Sequence, residues 1–370
     1  MNRVLAGLAL LVVSGCAAGI VTVETEASSA VVPEADREAG DALQRFQAPS
    51  GDWGFMDASG RVVIAPAFED VAPFSEGRAV FRDGDRYGYL DPTGAVVVEA
   101  YYTQAESFSE GRGRVAVGHR GGRRYGFVDP AGVEVVATDL PMAIPYGDGK
   151  AVARLRAEPL VGFQRLLARM GIGPDDNHFV AIDRDGQVIL DLPYVRVSSF
   201  SEGLAAFRPP GVRASWGYLA EDGAVVIPPR FDGPAYAFTE GRARVVDGDQ
   251  IGFIDPTGAF VVEPMYDRAL AFSEGLAAVR SEGRWGFIDR DGTTVIAPRF
   301  TEAASFAEGL AAVRLGGGWG YIDASGTVVI EPAYRTASPF RNGLALVRQG
   351  GRAVVINRSG EVVSPRGLDG

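Results

Sequence analysis

Cysteine, histidine and long apolar runs are all scarce in this 370-residue sequence, and each scarcity removes a class of explanation. A single cysteine, Cys16, cannot form an internal disulfide, so the chain is not a disulfide-stapled scaffold. Two histidines, His119 and His178, give general acid–base catalysis little to work with. The one sustained apolar run, Val4 to Val13, is too short to cross a bilayer as a mature helix. Basic charge is short as well: 36 Lys and Arg against 47 Asp and Glu leave a formal charge of -11, which repels phosphate backbones and argues against nucleic acid as a partner. No glycine loop that would cradle phosphates precedes a helix, no HExxH occurs, and no serine sits in a nucleophile elbow. Carboxylates are plentiful, so a glycosidase-like pair of acids stays open on composition alone.

What is present is a globular composition, 46% hydrophobic with 22% charged, behind a distinctive start. Arg3 precedes the apolar run, the layout of an export signal. The run ends in Val13-Ser14-Gly15-Cys16, which resembles the lipobox of bacterial lipoproteins. That resemblance implies a signal peptide over 1–15 and lipidation at Cys16. It also accounts for an unpaired thiol outside the cytoplasm. Ala17 follows the cysteine where inner-membrane retention would place aspartate, so the same resemblance points to the outer membrane. Residues 16–41, rich in small residues and carboxylates, read as a flexible tether.

The rest is repetition. An aromatic-glycine pair recurs as Trp53-Gly54, Tyr87-Gly88, Tyr125-Gly126, Trp216-Gly217, Ile251-Gly252, Trp285-Gly286 and Trp319-Gly320, with worn copies at Phe179-Val180 and Ala353-Val354. The steps are 34, 38, 54, 37, 35, 34, 34 and 34 residues, regular except for one insertion. Each pair opens a short β-rich run that reaches a glycine turn and a second run such as "TTVIAP", the pattern of a hairpin. Seven of the turns open with aspartate, at 57, 91, 129, 183, 255, 289 and 323. An Asx-turn explains these acids better than calcium, which needs several oxygens converging in one loop. A second landmark, aromatic-x-acid-Gly, runs from Phe74-Ser75-Glu76-Gly77 to Phe306-Ala307-Glu308-Gly309, with Asn342 in place of the last acid. Here the aromatic is expected in the core and the acid on the turn or in water; a row of acids attracting cations is the competing idea. The tryptophans are expected in the core.

These units resemble the WG-repeat family of bacterial proteins from about Leu43 to Pro365. The resemblance implies a β-rich repeat and little about activity. The pattern predicts an all-β array over 42–366: nine hairpin units of about 34 residues in an open, solenoid-like stack, with the worn last unit as its cap. Typical propellers have ~4–8 blades of four strands, which favours the open stack; a closed propeller is the alternative, because "ALQRFQAP", Ala42 to Pro49, reads as a stray strand that would complete the last unit. Consecutive apolar residues in "VVVE", "VVIP" and "LAAV" predict small sheets covered on both faces.

Two features break the rhythm. The insertion at about 156–177 carries Leu160, Phe163, Leu167 and Met170 at helical spacing with Arg165 and Arg169 among them. It reads as a short amphipathic helix, either packed on the array or contacting a membrane or partner. The loop before Tyr125 holds His119, Arg120, Arg123 and Arg124, a small basic cluster in an acidic chain. Arg120, Arg123, Arg124, Arg165 and Arg169 are therefore the candidate binding residues, with no catalytic residue, metal or cofactor indicated. The expectation is a non-catalytic, lipid-anchored envelope protein whose repeat surface binds a protein or an envelope polymer. A structural spacer and a glycan or peptide hydrolase are the alternatives.

Overall fold

The computed structural model describes residues 32–118, 122–155, 179–211 and 214–367. The described chain is one ring of nine antiparallel sheets, arranged as the blades of a β-propeller. Blade 2 shows the plan: an inner strand Asp70–Val71, a second Ala79–Asp83, a third Arg86–Leu90 and an outer strand Val96–Tyr102, paired in that order. Blades 3, 4, 5, 7 and 8 repeat it over 104–140, 142–192, 196–231, 268–300 and 302–334. In blade 6 a single bridge, Ala235 to Val245, stands for the inner strand, and in blade 9 Val362 bridges to Ile356 as the outer one. Blade 1 has three strands, Gln44–Gln47, Trp53–Met56 and Val62–Phe68, with helix α1 (Glu34–Asp41) ahead of them. That helix falls in the stretch expected as tether.

The open stack is thus corrected to a closed ring. The two-residue inner strands, lying between the outer-strand run and the aromatic-x-acid-Gly turn, are too short to register as strands in the sequence, yet they turn each hairpin into a blade. Closure needs no borrowed half-blade. Gln44–Gln47, considered as a strand that completes the last unit, pairs with Trp53–Met56 of its own blade. Phe46 and Met56 of blade 1 then bury themselves against Leu344 and Val355 of blade 9. Past Val362 the chain continues to blade 1, where the Arg366 N–H donates to the Gly60 carbonyl and the Val62 N–H to the Arg366 carbonyl, at 2.7 and 3.1 Å. The worn last unit is therefore a working blade, not a cap.

Two sets of glycines make the blades fit. At every turn glycine, from Gly60 to Gly360, φ lies between +78° and +89°, which only glycine adopts readily. A Cβ there would also meet the outer strand of the preceding blade: Ile64 for Gly94, Val98 for Gly132, and so on round to Val363 and Ser364 for Gly60. All nine joints, the closing one included, share this contact. The glycine of the aromatic-glycine pair has another cause. Trp53 pairs with Phe68 but Phe55 with Ile64, so the outer strand bulges between them. The bulge brings the Ile64 carbonyl oxygen to 2.5 Å from where a Gly54 Cβ would lie.

The third strand of each blade is buried on both sides; Phe55, Tyr89, Phe127, Tyr218, Phe253, Phe287 and Tyr321 are all 0% exposed. Coverage fails on the outer strand, where Val96, Val225 and Val295 stay exposed and the apolar residue under the next blade's glycine goes inside. The tryptophans are half-buried and pack on the cores of their blades, as expected of core residues. The insertion expected as a helix lies outside the described residues.

Candidate functional site: the inner wall of the ring

The outer strands carry the exposed valines, so the inner strands face the ring axis. Within a blade the chain runs from inner to outer, which puts the inner-to-second and third-to-outer turns on one face of the ring. The second-to-third loops and the blade-to-blade connections emerge on the other, the loop face.

On the turn face the acids of the aromatic-x-acid-Gly motif link one blade to the next. Glu76, Glu110, Asp148, Glu202, Glu240, Glu274 and Glu308 accept hydrogen bonds from the N–H groups of Gly111, Gly149, Gly203, Gly241, Gly275, Gly309 and Gly343 at 2.7–2.9 Å. Each acid holds a left-handed φ of 50–55°, as does Asn342. Seven successive joints are made this way. At the eighth, Asn342 Nδ2 donates to the Asp41 carbonyl, and at the ninth Gly40 of α1 packs against Phe74 and Gly77. Helix α1 therefore takes the place of the missing ninth turn. The motif's aromatic is buried, as expected, but against the third-strand aromatic of the preceding blade: Phe55–Phe74, Tyr89–Phe108 and Tyr321–Phe340 have ring centroids 4.7–5.0 Å apart. The row of acids is a row of blade-to-blade bonds. The turn aspartates act as expected: Asp57 Oδ1 accepts from the N–H groups of Ser59 and Arg61, and Asn357 does the same for Ser359 and Glu361.

With the periodic acids so engaged, a site is sought where the repeat is broken. The third residue after the motif glycine is small or apolar in most blades, Val80, Val152, Ala206, Ala278, Ala312 and Leu346, but it is Arg114 in blade 3 and Arg244 in blade 6, and blade 1 has Arg45 there. Each arginine donates Nη1 to the inner strand of the next blade, at the Val71, Ala143 or Ala269 carbonyl. Arg45, and Glu106 that pairs with Arg114, line a cavity of about 480 Å³ on the inner wall of blades 1 to 3. Its polar lining is Arg45, Asp70, Arg82, Glu106 and Ser107, with Tyr87 of the aromatic-glycine series at one side. Burial lowers the Arg45 guanidinium from its ordinary pKa, and the Asp70 charge works against that shift. Arg82 pairs with Glu69 at 3.0 Å, and Glu106 holds Arg114 through both carboxylate oxygens. The cavity thus offers a half-buried cation beside carboxylates, a hydroxyl and an aromatic face. These are the kinds of polar group that fix a ligand's orientation in a pocket.

Of the residues expected from sequence, Arg123 reaches this site indirectly. Its Nη1 donates to Gln104 Oε1 at 2.8 Å, and Gln104 Nε2 donates to Glu106 Oε1 at 3.0 Å. Arg124 faces Asp139 at 3.8 Å. Arg120, Arg165, Arg169 and Cys16 lie outside the described residues. Arg154 and Phe179, the described residues on either side of the insertion, pair at the loop-face end of blade 4, and Arg124 pairs with Val117 at the same end of blade 3. Sequence reasoning missed Arg45 and Glu106. The signal was there, an arginine in a column of alanine and valine. Among the described residues no group of three His, Cys, Asp or Glu side chains converges to hold a metal ion, and no helix is long and apolar enough to cross a membrane.

The model of the family described as WG containing repeat matches seven segments, 53–87, 87–118, 181–208, 216–250, 251–285, 285–319 and 319–352. No curated protein matches the sequence. Among solved structures the chain is similar to a eukaryotic initiation factor, with 12% identity over 87% of this chain and 94% of that one and a TM-score of 0.59. It is also similar to BamB from Moraxella catarrhalis, with 13% identity over 91% and 96% and a TM-score of 0.43. At such identities the first likeness extends to the fold alone, and the second carries no weight.

Proposed function

The chain belongs to the WG-repeat family, and from its inner wall we propose a non-catalytic binding platform, held at a bacterial envelope by a lipid on Cys16, that takes a protein or envelope polymer at blades 1 to 3. One observation carries this: the cavity opens where the repeat departs from its own pattern, at Arg45 and at the Glu106–Arg114 pair. Packing explains a residue that recurs in every blade. It does not call for a half-buried arginine where six other blades have alanine, valine or leucine; its desolvation costs free energy, which a bound ligand would compensate. The periodic carboxylates support the non-catalytic part, because the turn aspartates and motif glutamates are bonded to backbone N–H groups. Outer-membrane attachment rests on the lipobox resemblance and on Ala17.

Site-specific photocrosslinking in cells tests the platform. A photoreactive residue at position 107, inside the cavity, should give one discrete adduct that disappears with Arg45→Ala, whereas the same residue at position 295 on the outer rim should give none. Equal adducts at both positions, or no adduct at 107, would favour the structural spacer. For the anchor, Cys16→Ala should abolish palmitate labelling and release the protein from the membrane fraction.

A further inference from the structure

The loop-face end of the inner wall carries a second departure, on the far side of the ring from the cavity and independent of the platform proposed above. Five residues after the motif glycine, near the end of the second strand, stands arginine in six blades: Arg82, Arg154, Arg208, Arg280, Arg314 and Arg348. Its neighbour across the ladder is the first residue of the inner strand, at the mouth of the channel. In blade 2 that neighbour is Asp70 and in blade 8 Glu302, which pairs with Arg314 at 2.6 Å. In blades 5 and 7 it is another arginine: Arg196 stands directly opposite Arg208, and Arg268 opposite Arg280. Between them, blade 6 contributes the neutral Pro234.

Directly opposed residues of a ladder project to the same side with Cβ atoms ~5 Å apart, so like charges there repel and destabilise the pair. None of the four arginines has a carboxylate partner among the described residues. Among the described residues Arg208 is tied to the loop through Nε, which donates to the Ala214 carbonyl at 2.8 Å. The buried Nε of Arg280 has no hydrogen-bond partner among the described residues. Arg196 and Arg268 are exposed at the mouth. The fold does not require arginine at either place, since blade 3 is built with Gln104 and Ala116. Two guanidinium forks side by side match the oxygens of a tetrahedral anion, and in a chain with formal charge -11 they form a local reversal of sign.

We propose that the channel mouth at blades 5 to 7 is an oxyanion site, in which the Arg196–Arg208 and Arg268–Arg280 pairs take phosphoryl groups of a ligand. The test uses the mature protein with pyrophosphate as probe, in thermal melts against chloride at matched ionic strength. A saturable rise in Tm is expected, lost in the double variant Arg196→Gln/Arg268→Gln and kept in Arg335→Gln, an exposed arginine in the connection between blades 8 and 9, outside the pairs. In phosphate-free buffer the double variant should melt at the same or a higher temperature than the parent, because it removes a repulsion; a structural pair of arginines would show the opposite. A rise that tracks ionic strength alone, or that survives in the double variant, overturns the proposal. The source is then separated with two ligands: binding of glucose 1-phosphate indicates a soluble phosphoester, and cosedimentation with phosphatidylglycerol but not phosphatidylcholine vesicles indicates a lipid headgroup. Binding of neither also overturns it.

Discussion

Glu76 shows what the ring joints are worth. Its Oε1 accepts the Glu110 N–H at 2.8 Å and its Oε2 the Gly111 N–H at 2.7 Å, so one carboxylate closes on two consecutive amides of the next blade. The residue holds φ 53°, a conformation that costs an L-residue about 1–2 kcal/mol. Hydrogen bonds to a charged group contribute about 1.5–3 kcal/mol each, with the lower end fitting a half-exposed turn. Two of them, about 3 kcal/mol, exceed the backbone strain, which is why an acid occupies a position whose conformation favours glycine. Glu76→Ala removes the bonds and keeps the strain, so it should destabilise by about 3 kcal/mol. Glu76→Gly removes both and should be about 1 kcal/mol milder than alanine. Glu76→Gln keeps two polar atoms but turns a donor toward one of the N–H groups, and should fall near alanine. Urea unfolding followed by tryptophan fluorescence reads the order. If Glu76→Ala unfolds within about 0.5 kcal/mol of the parent, the carboxylate is not a joint and the account of the motif fails.

The turn glycines give a sharper contrast. Gly292→Ala meets both a φ of 83° and a Cβ position 2.7 Å from Val262 Cγ2, whereas Gly111→Ala meets a φ of 76° with nothing within 4 Å. The second should cost about 1–2 kcal/mol in urea melts and the first clearly more, since the neighbouring blade must also shift. Acid should loosen the ring. Hydrogen bonds from Ser59 and Arg61 hold the Asp57 carboxyl at about 2, down from 3.8. The carboxyls of Asp255 and Asp323 are lowered chiefly by bonds from Thr257 and Ser325; that of Glu240 is lowered because its bonds from Arg290 and Gly275 outweigh a desolvation that acts the other way. Depressed folded-state values stabilise above the unfolded pKa and lose that contribution as protons bind, so denaturation midpoints should hold from pH 7 to about 5 and fall from about pH 4 toward 2. Asp57→Asn, able to keep the Asx-turn as Asn357 does, should flatten its share of the fall. Equal midpoints at pH 5 and pH 2.5 would refute it.

Much of the scaffold was legible because it is periodic. The hairpin from Trp285-Gly286 to the run ending at Phe300, its turn at Asp289 and Gly292, and the burial of Phe272 and Phe306 all follow from residue type and spacing. Closure was not legible, for a physical reason. Hairpin signals report bonds between strands a few residues apart, whereas the ring depends on Asp70–Val71 and its counterparts, two-residue strands with no pattern of their own, and on contacts between residues such as Phe46 and Leu344 at opposite ends of the chain. The bonds of Glu76 to Gly111 were hidden too, since an acid in a turn reads as a local cap until its partner in the next blade is placed. At the site, the basic loop drew notice for its density of charge and proved to be linked to the cavity through Arg123, Gln104 and Glu106. Arg45 drew none, because a lone arginine in a short strand is unremarkable until it is aligned with its counterparts.

Comparing positions across blades therefore separates scaffold from site better than counting charged residues does. A residue type that recurs at one position in every blade answers a demand present at every joint: the acid binds the next blade's amides, and the glycine admits its neighbour's side chain. A residue that appears in one or two blades answers something local. By that criterion the seam is local, since α1 and Asn342 replace a turn that blade 1 lacks, and, apart from Arg244 of blade 6, what remains irregular on the inner wall falls into two groups. One is the cavity of Arg45, Glu106 and Arg114, near the seam; the other is the opposed arginines of blades 5 and 7. In both, arginine sits where other blades tolerate small, neutral or acidic residues. Each makes the isolated ring less comfortable than its own repeat would allow, by desolvating a cation in the first case and by juxtaposing like charges in the second. A ring built only to hold its shape could fill both places with the alanine, valine or glutamate that serve elsewhere, which is why the proposed binding is placed on the inner wall.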